Sequence, residues 1–514
     1  MTTESNTVLN VEIKHNSFRL YPYKLARWNK KERILEGTAP SLDRAFTNFD
    51  FHFKRYKLKL NIYDKANKML ILPIGVGLKF IEEKLREEYT PYQIIDNSEY
   101  YPEPRIVTPN LNEKYTIRSK YQAFSIDFLT SDKLFHTKLL ALATGVGKTF
   151  CSVAAAFRLK MAMLVISPTL SDQWLASIES YTNCNRENGG IVLLRGCDSV
   201  DRAMSKPPKA AFYVTTPLTI GNWIEKGNNG DDLIKHLGIG IQCFDEFHMM
   251  YSENIFVNTH LNTKYTFYLT ATPDRTDYSE KKIFKRIMNE IPVYGLKTFA
   301  EQNYYNIRCV NYNTHPEGYE ISQCVTSKGL SAINYWNYLF KTPWRAMYVF
   351  SIIKTMIDKM IQSPSYTKDE KYLIYLAKIE HIDFAKQWFN KVYANTDLTT
   401  GNYTSEVKKS ERRNEIMNNI IFCTLGGGGV GLDIPNLRAV FVAVPYSSSI
   451  ITMQVRGRLR ELSDKEVYLF DFCDMGFTDM KYQRNKRMGI LKPYSRSYSE
   501  RTFYWDDKNL SLKI

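Results

Sequence analysis

The chain has 514 residues, 44% hydrophobic and 24% charged, which excludes wholesale disorder and is too long for one ordinary hydrophobic core. The net charge of +15 favours an acidic partner such as a phosphate backbone, and a chain that is merely rich in lysine is the alternative. The eight cysteines are scattered singly, which indicates neither a zinc site nor a disulfide framework. The sequence shows no secretory pattern and no apolar run near the roughly 18 residues of a membrane span. We therefore expect a cytoplasmic location without a membrane partner.

Residues 1–112 show no nucleotide-site pattern and predict a small α+β accessory domain. Alternating runs at 48–56 and 58–63 indicate strands, 64–67 indicates a hairpin turn, and 77–89 indicates a helix. The basic and aromatic side chains suit nucleic-acid binding, while the buried face of a sheet explains the same alternation. Prolines and asparagines between 97 and 114 predict a linker.

Residues 113–295 alternate short apolar runs with helical stretches, which predicts a parallel-sheet α/β domain. Buried strands are expected at 162–166, 211–216, 239–244 and 265–269, and each is followed by polar residues. In open α/β sheets ligands bind beyond the carboxyl ends of the strands. We therefore expect these polar endings to converge on one crevice.

A turn of small residues at 142–149 ends in Gly147-Lys148-Thr149. Glycines let backbone N–H groups surround phosphate oxygens, a lysine reaches the β- and γ-phosphates, and a hydroxyl holds magnesium. The turn therefore indicates a nucleotide site, although Leu142 replaces the first glycine of the pattern and an incidental strand–turn–helix connection is the alternative. The predicted phosphate-binding residues are Thr144, Gly145, Val146, Gly147, Lys148 and Thr149.

An acidic pair, Asp245 and Glu246, follows the strand at 239–244. An aspartate that leaves a buried strand can bind a metal ion through water, and the adjacent glutamate can orient or deprotonate an attacking water. Such a pair is also a common helix N-cap, which stays the alternative for these two residues alone. His248 completes an Asp-Glu-Phe-His pattern that is more specific.

A second α/β pattern spans 296–478, with strands expected at 371–376, 419–424, 440–444 and 466–471. Helices are expected within 320–362 and 380–393. Residues 479–514 contain nine Lys or Arg against four Asp or Glu, and are expected to form a basic C-terminal tail that either contacts phosphates or is simply solvated.

Five segments, in this order, resemble motifs I, II, III, V and VI of superfamily 2 helicases and translocases. They are Gly145–Thr149, Asp245–His248, Thr270–Pro273, Thr424 with Gly431–Pro435, and Gln454–Arg460. The resemblance implies two tandem RecA-like parallel-sheet domains of the P-loop NTPase class, at 113–295 and 296–478. It also implies an ATP-hydrolysing motor with ATP and magnesium as cofactors.

The resemblance also implies roles for residues at the ATP site. Lys148 would bind phosphates, Thr149 and Asp245 would hold magnesium, and Glu246 would act on the water. Gln122 stands where the adenine-recognising glutamine of the family lies. The other implied members are His248, Gln454, Asp433 at the ribose or closed interface, and Arg458 and Arg460 as arginine fingers from the second lobe.

The implied nucleic-acid contacts use hydroxyl and N–H groups that ignore base sequence. They are Pro168, Thr169, Gln173, Thr216 and Thr424, and helix capping is the alternative for the three threonines.

The sequence departs from the family pattern in motif VI. Glu461 occupies the place of the second arginine, and arginines stand instead at 456, 458 and 460, so the identity of the second finger stays open. Motif V also carries four consecutive glycines at 426–429, which predicts a flexible loop.

The passage 63–75 is similar to the N-terminal domain of phage UvsW-type helicases, in which a hairpin and a Leu-Pro-Phe-Gly-like turn precede a helix. That family implies unwinding, branch migration or R-loop removal on branched or forked DNA during phage or viral replication and recombination, in the host cytoplasm. A single-strand-binding or recombination protein is a candidate partner. The alternatives are an RNA or RNA–DNA-hybrid helicase of the transcript-release kind, and an ATPase clamp that does not unwind.

Overall fold

The computed structural model describes residues 8–513 with gaps at 30–31, 33, 51–54, 61, 114–115, 118–119, 134, 143–145, 169–171, 272–277, 296–303, 328, 409–410, 427–433, 463–464 and 507–510. The chain divides into two compact units, Met1–Leu296 and Lys297–Ile514, which are described separately. The predicted fold class, two parallel-sheet α/β domains with a small N-terminal α+β part, is confirmed.

The N-terminal part is a five-stranded mixed sheet with two short hairpins and two helices. Its elements are β1 (Leu9–Lys14), β2 (Ser17–Tyr21), β3 (Arg27–Asn29), β4 (Ile34–Glu36), α1 (Pro40–Ala45), β5 (Thr47–Asp50), β6 (Arg55–Lys59), β7 (Ile62–Asp64), β8 (Met69–Pro73), α2 (Leu78–Glu87) and β9 (Tyr92–Asn97). The five-stranded sheet has the order β7-β8-β2-β1-β9.

The hairpin turn and the helix predicted in this part are confirmed. The Asp64 carboxylate accepts hydrogen bonds from the backbone N–H groups of Ala66 and Asn67, at 3.0 and 3.2 Å, which stabilises the turn between β7 and β8. Helix α2 buries Ile81 and Leu85, which lie one turn apart on the same face.

The rest of the first unit is a seven-stranded parallel sheet of order β12-β13-β11-β14-β15-β10-β16. Its strands are β10 (Thr137–Ala141), β11 (Ala162–Ile166), β12 (Ile191–Leu193), β13 (Phe212–Thr215), β14 (Ile239–Phe244), β15 (Tyr265–Thr270) and β16 (Val293–Tyr294). Its helices are α3 (Lys120–Thr130), α4 (Lys148–Leu159), α5 (Asp172–Tyr181), α6 (Cys197–Ser205), α7 (Pro217–Glu225), α8 (Gly230–Leu237), α9 (Tyr251–His260) and α10 (Tyr278–Ile287). Every residue of β10, β11, β14 and β15 is buried, as expected for central parallel strands covered on both faces.

The N-terminal part and this parallel sheet share one hydrophobic cluster, which runs from Leu9 to Ile291. Gly75, in the turn after β8, lies against α10 and the residues after it, and its carbonyl accepts a hydrogen bond of 3.0 Å from the N–H of Glu290. The imidazole of His15 stacks on that of His136, with ring centres 3.6 Å apart. The predicted linker also contacts this part of the unit, because the N–H of Arg105 donates a hydrogen bond of 2.9 Å to the carbonyl of Gly238, just before β14.

The second unit is built on another seven-stranded parallel sheet, of order β21-β22-β20-β23-β24-β17-β25. The unit contains these seven strands and two short hairpins, β18–β19 and β26–β27. The strands are β17 (Tyr305–Tyr312), β18 (Val325–Thr326), β19 (Gly329–Leu330), β20 (Lys371–Leu376), β21 (Thr400–Tyr403), β22 (Ile420–Thr424), β23 (Leu437–Val442), β24 (Val467–Asp474), β25 (Ser497–Thr502), β26 (Tyr504–Asp506) and β27 (Ser511–Lys513). Its helices are α11 (Gly318–Cys324), α12 (Ala332–Lys341), α13 (Pro343–Ile361), α14 (Ile379–Val392), α15 (Arg412–Glu415), α16 (Ser449–Arg456) and α17 (Thr478–Leu491).

Residues 479–514, interpreted from sequence as a basic tail, contribute α17, β25 and the β26–β27 hairpin to the second unit. The physical reason is that two of their cations, Arg484 and Arg487, face inwards. Arg487 is fully buried and its guanidinium donates two hydrogen bonds of 2.7 Å to the carboxylate of Asp471. These residues are therefore not a solvated tail. Of the helices that the structure describes, none is both long and apolar enough to span a bilayer.

Gly75→Ala is expected to lower the free energy of unfolding of the first unit by about 1–3 kcal/mol. The added methyl would lie 2.3 Å from the carbonyl oxygen of Ile287 and 2.6 Å from the side chain of Ile291. Thermal unfolding measures the effect. Gly221→Ala in α7 is the matched control, because its nearest neighbour atoms are 3.8 Å away and alanine favours a helix interior. Equal midpoints for the two variants would contradict the packing of Gly75.

The stability of the first unit is expected to fall as the pH drops below 6.5, the ordinary pKa of histidine. Burial, followed by the neighbouring His15, lowers the pKa of His136 to about 3. The unfolded chain therefore binds a proton that the folded chain does not, and this group contributes a loss of about 2 kcal/mol at pH 5.

Denaturant unfolding at pH 7 and pH 5 tests that dependence. In His136→Phe, which keeps a stacked ring, the difference between the two pH values should shrink by about 2 kcal/mol. His236→Phe, on the exposed side of α8, should keep the wild-type difference. An unchanged difference in His136→Phe would refute the role of this histidine.

Candidate active site

The predicted phosphate-binding turn connects β10 to α4. Gly147 precedes the helix with a φ of +100°, a backbone conformation that glycine adopts without strain. A Cβ atom at this position would lie 2.7 Å from Nε2 of Gln122, so a larger residue would also collide there. The N-terminus of α4 thus presents backbone N–H groups and a positive partial charge, which suits an anion. Thr144 and Gly145 lie outside the described residues.

Lys148 and Thr149 are the first two residues of α4. The Lys148 side chain is 8% exposed, and its ammonium donates a hydrogen bond of 3.0 Å to the carbonyl of Leu142. It therefore folds back over the turn that the sequence assigns to phosphate. Thr149 is half-buried beside it, and its magnesium contact stays a prediction.

Gln122, on α3, packs against the same turn. Its side-chain amide donates to the carbonyl of Val146 at 3.2 Å. The structure therefore brings the residue predicted to recognise adenine next to the residues predicted to hold phosphate, although 24 positions separate Gln122 from Val146.

Asp245 and Glu246 follow the last residue of β14. The N–H of Asp245 donates to the carbonyl of Ile166 at 2.9 Å, and the N–H of Phe247 donates to that of Leu269 at 2.9 Å. Glu246 lies between these two anchors with a φ of +44°, a left-handed conformation that costs a non-glycine residue about 1–2 kcal/mol. Strain of this kind persists where the surroundings impose it and is common at functional sites.

The carboxylate of Asp245 accepts a hydrogen bond of 2.7 Å from the indole N–H of Trp174. Burial and the neighbouring carboxylate of Glu246 raise the pKa of Asp245, and Trp174 and the ammonium of Lys148 oppose the shift. Two crowded carboxylates with one nearby ammonium are short of positive charge. The donor set of Asp245 and Thr149 consists of hard oxygens, which fits Mg²⁺.

His248 joins two of the predicted motifs. Its imidazole Nδ1 lies 2.9 Å from the hydroxyl of Thr270, the last residue of β15, and 3.4 Å from a carboxylate oxygen of Glu246. The side chain is 4% exposed, so these contacts hold it in place. The sheet order β14-β15-β10 places motifs II, III and I at the ends of three adjacent strands.

The residues predicted to contact nucleic acid in the first unit lie after β11 and β13. Pro168 is half-buried, and Gln173 is exposed on α5. Thr216 is the N-cap of α7, where its hydroxyl accepts a hydrogen bond of 3.2 Å from the N–H of Thr219. Helix capping, the alternative for this threonine, is thus present in the structure. Thr169 lies outside the described residues.

In the second unit, Thr424 ends β22 and lines an open groove of about 640 Å³ together with Lys378, Glu380 and Gly426. The hydroxyl of a threonine that lines a groove is accessible to a ligand bound there. Asp433 and residues 427–432 of the predicted motif V loop lie outside the described residues.

The motif VI arginines occupy different environments. Arg456 is 3% exposed and its guanidinium lies over the rings of Tyr305 and Tyr494, 5.6 and 4.9 Å from their centres, so it stabilises packing within this unit. Arg458 is buried beside Tyr375, and its charge opposes the rise that burial causes in the pKa of that tyrosine. Arg460 is half-buried and donates to the carbonyl of Leu459 at 3.1 Å. Gln454, in the last turn of α16, is half-buried.

Trp174 is the site residue that sequence reasoning missed. It is 2% exposed and immediately follows Gln173, whose side chain faces solvent, so α5 connects a predicted nucleic-acid contact to the predicted magnesium ligand. The sequence offers no sign of this pairing, because 71 positions separate Trp174 from Asp245.

Comparison with known proteins finds similarity to helicases and to a restriction-enzyme subunit. A family model described as "Type III restriction enzyme, res subunit" matches residues 110–275. A putative ATP-dependent RNA helicase of Acanthamoeba polyphaga mimivirus is 23% identical over 404 residues, covering 73% of this chain and 69% of that protein. The DNA 3'-5' translocase XPB2 of Sulfurisphaera tokodaii is 22% identical over 466 residues, covering 83% of this chain and 100% of that protein. The solved structure of Mss116p bound to ssRNA and AMP-PNP matches in fold, with a TM-score of 0.54, 16% identity, and coverage of 77% of this chain and 76% of that one.

Trp174→Phe is expected to raise the magnesium concentration that half-saturates ATP hydrolysis, because Asp245 loses the bond that holds its carboxylate. A hydrogen bond to a charged acceptor contributes about 1.5–3 kcal/mol, which corresponds to a shift of roughly tenfold or more. The measurement is a magnesium titration of ATPase activity.

Trp223→Phe is the matched control. The indole of Trp223 donates the same kind of bond, 2.7 Å long, to Asp201 on α6, and neither residue belongs to a predicted motif. It should lower stability in a similar way and leave the magnesium dependence unchanged. An equal magnesium shift in both variants would show that the Trp174 bond has no specific role.

Proposed function

We propose that this chain is a superfamily 2 helicase that hydrolyses ATP and uses the hydrolysis to move along and unwind forked or branched DNA. The observation that carries the ATPase part is the convergence of motifs I, II and III at the ends of the adjacent strands β10, β14 and β15. There the ammonium of Lys148 lies close enough to Asp245 to oppose the rise that burial and Glu246 cause in the pKa of that carboxyl group.

The residues of this site have complementary tasks. Lys148 and the N-terminus of α4 bind the phosphates, and Gln122 beside the turn orients the nucleotide. Thr149 and Asp245 hold magnesium, which neutralises charge on the β- and γ-phosphates when it is bound. Glu246 accepts a proton from the attacking water. His248, which contacts both Glu246 and Thr270, holds that carboxylate in place.

The second unit supplies the remaining proposed roles. Arg458 and Arg460 stabilise charge on the transferred phosphoryl group, and Gln454 accompanies them in motif VI. Arg456 is set apart from them, because its contacts with two tyrosine rings give it a packing role. The choice between Arg456 and Arg460 for the second finger therefore favours Arg460. Asp433 keeps its predicted role at the ribose.

Nucleic acid is proposed to bind through groups that contact the sugar–phosphate backbone. Exposed Gln173 and the hydroxyls of Thr216 and Thr424 suit such sequence-independent contacts, and Pro168 and Thr169 complete the predicted set. The net charge of +15 supports an anionic track.

DNA is favoured as the track because the DNA translocase XPB2 aligns over its full length with this chain. The similarity to a mimiviral protein described as a putative RNA helicase supports RNA as the second candidate. The narrower UvsW-type role, branch migration and R-loop removal in replication and recombination, stays a prediction from the passage 63–75.

Lys148→Ala is expected to reduce ATP hydrolysis at least about a hundredfold, because the phosphates lose their charged partner. Glu246→Gln should bind ATP normally and turn it over at least about a hundredfold more slowly, because the amide cannot accept a proton from water. Steady-state ATPase and nucleotide-binding assays measure these effects.

Lys235→Ala and Glu179→Gln, both at exposed positions of the first unit, are the matched controls and should keep wild-type activity. Normal turnover by Lys148→Ala would refute the ATP site, and normal turnover by Glu246→Gln would remove that residue from its role.

A panel of nucleic acids separates the candidate substrates. ATPase stimulation is compared for single-stranded DNA, forked DNA, single-stranded RNA and an RNA–DNA hybrid, with strand displacement measured on the forked duplex. The proposal expects the strongest stimulation by forked DNA, with unwinding. Preferential stimulation by RNA would favour the second candidate, and stimulation without any displacement would indicate a clamp.

A further inference from the structure

A cavity of about 490 Å³ lies on one face of the sheet in the second unit. Residues two apart on β17, β24 and β25, such as Arg308 and Val310 on β17, line it, and the C-terminal half of α13 forms a wall. Pockets for drug-sized ligands have volumes of about 300–1,000 Å³. The cavity is therefore large enough for a small molecule.

The cavity is remote from the helicase motifs of this unit. Arg438 and Tyr468 line it at the amino ends of β23 and β24, where each is the second residue of its strand. Thr424 is the last residue of β22, and motif VI follows the carboxyl end of β23. Because β22, β20, β23 and β24 are parallel neighbours, the motifs and these two residues lie at opposite edges of the sheet. A ligand here would not occupy the motif edge.

The lining is strongly positive. Arg308, Lys359, Arg438 and Arg501 contribute four cations, and among the lining residues that the structure describes Glu466 alone contributes a carboxylate. Burial and the neighbouring Arg501 lower the pKa of Lys359, as expected where cations crowd together. Such a cluster is unfavourable by itself and attracts an anion.

Arg438 is the most buried cation of this cluster. Its side chain is 4% exposed, and Nη2 donates a hydrogen bond of 3.2 Å to the hydroxyl of Ser365. Its Nε and Nη1 have no hydrogen-bond partner among the residues that the structure describes. The nearest carboxylate oxygen, on Glu370, is 3.7 Å from Nη1 and is also paired with Lys465 at 2.9 Å. Both N–H groups are enclosed by protein, so Arg438 adds positive potential at this end of the cavity and does not bond a ligand directly.

The remaining wall is apolar and contains flat or adaptable side chains. Tyr468 and Phe470 supply aromatic rings, and Met356 and Met360 supply thioether side chains from α13. The guanidinium of Arg308 lies 5.4 Å from the ring centre of Tyr468. Aromatic and thioether surfaces suit a planar ring such as a nucleobase.

We propose that this cavity is a second nucleotide site, which takes a nucleoside monophosphate or a similar small phosphorylated molecule. The phosphate binds Lys359 and Arg501, whose charges lie close together, and the base packs on the wall of Tyr468, Phe470 and the two methionines, towards the buried charge of Arg438. The site is separate from the ATP site of the motor, and it does not depend on which nucleic acid the motor follows.

Isothermal titration calorimetry on the full-length Lys148→Ala chain, in which the motor site is impaired, tests the proposal. AMP, GMP, CMP, UMP and orthophosphate are titrated separately. At least one nucleotide is expected to bind about tenfold or more tightly than orthophosphate, because orthophosphate lacks the base. In the same background, Arg501→Glu should weaken that nucleotide about tenfold or more, since it replaces an attractive charge by a repulsive one.

Lys391→Glu, an exposed residue of α14 outside the cavity, makes the same change of charge and should leave the dissociation constant within about twofold. Lys359→Glu, also exposed, should repeat the effect of Arg501→Glu without disturbing the core. The proposal is overturned if no nucleotide binds at millimolar concentration, if orthophosphate binds as tightly as the nucleotides, or if Lys391→Glu weakens binding as much as Arg501→Glu does.

Discussion

The parallel alignment of β14, β15 and β10 is the constraint on which the candidate active site depends. Strands that run in the same direction end at the same edge, so Asp245, Thr270 and the turn before Lys148 become neighbours although they are far apart in sequence. The buried strands supply the free energy that holds this edge together. Glu246 can therefore adopt a strained left-handed backbone, because the hydrogen bonds of Asp245 and Phe247 anchor the chain on either side of it.

The N-terminal part depends on the same sheet. It shares one hydrophobic cluster with the parallel sheet of the first unit, and Gly75 and His15 pack directly against residues of that sheet region. A shared core of this kind resists relative movement, whereas a flexible linker permits it. We therefore expect the N-terminal part to move as one body with the sheet that carries the candidate ATP site.

The net charge predicts a binding partner less directly than the motifs do. The excess of Lys and Arg predicts an anionic partner, but several cations are used inside the second unit. Arg487 pairs with Asp471, Arg345 forms a 2.7 Å pair with Glu320, and Arg456 lies over two tyrosine rings. These cations do not contribute to an electrostatic track. Composition counts charges and cannot distinguish those that face solvent from those that face a buried partner.

The sequence by itself determined the secondary-structure elements and the motifs. The tertiary structure decided which side chains contact one another. Strands such as β11 and β14 were predictable because burial on both faces produces continuous apolar runs, and the Gly147–Thr149 and Asp245–His248 patterns are local chemistry. The bond from Trp174 to Asp245, the packing of Arg456 and the folding of residues 479–514 into the second unit join residues distant in sequence, and such contacts leave no periodic trace. The assigned roles of Thr144, Gly145, Thr169 and Asp433 stay predictions. Local propensity and periodicity are written along the chain, whereas the partner of a buried polar group is set only when the sheets assemble.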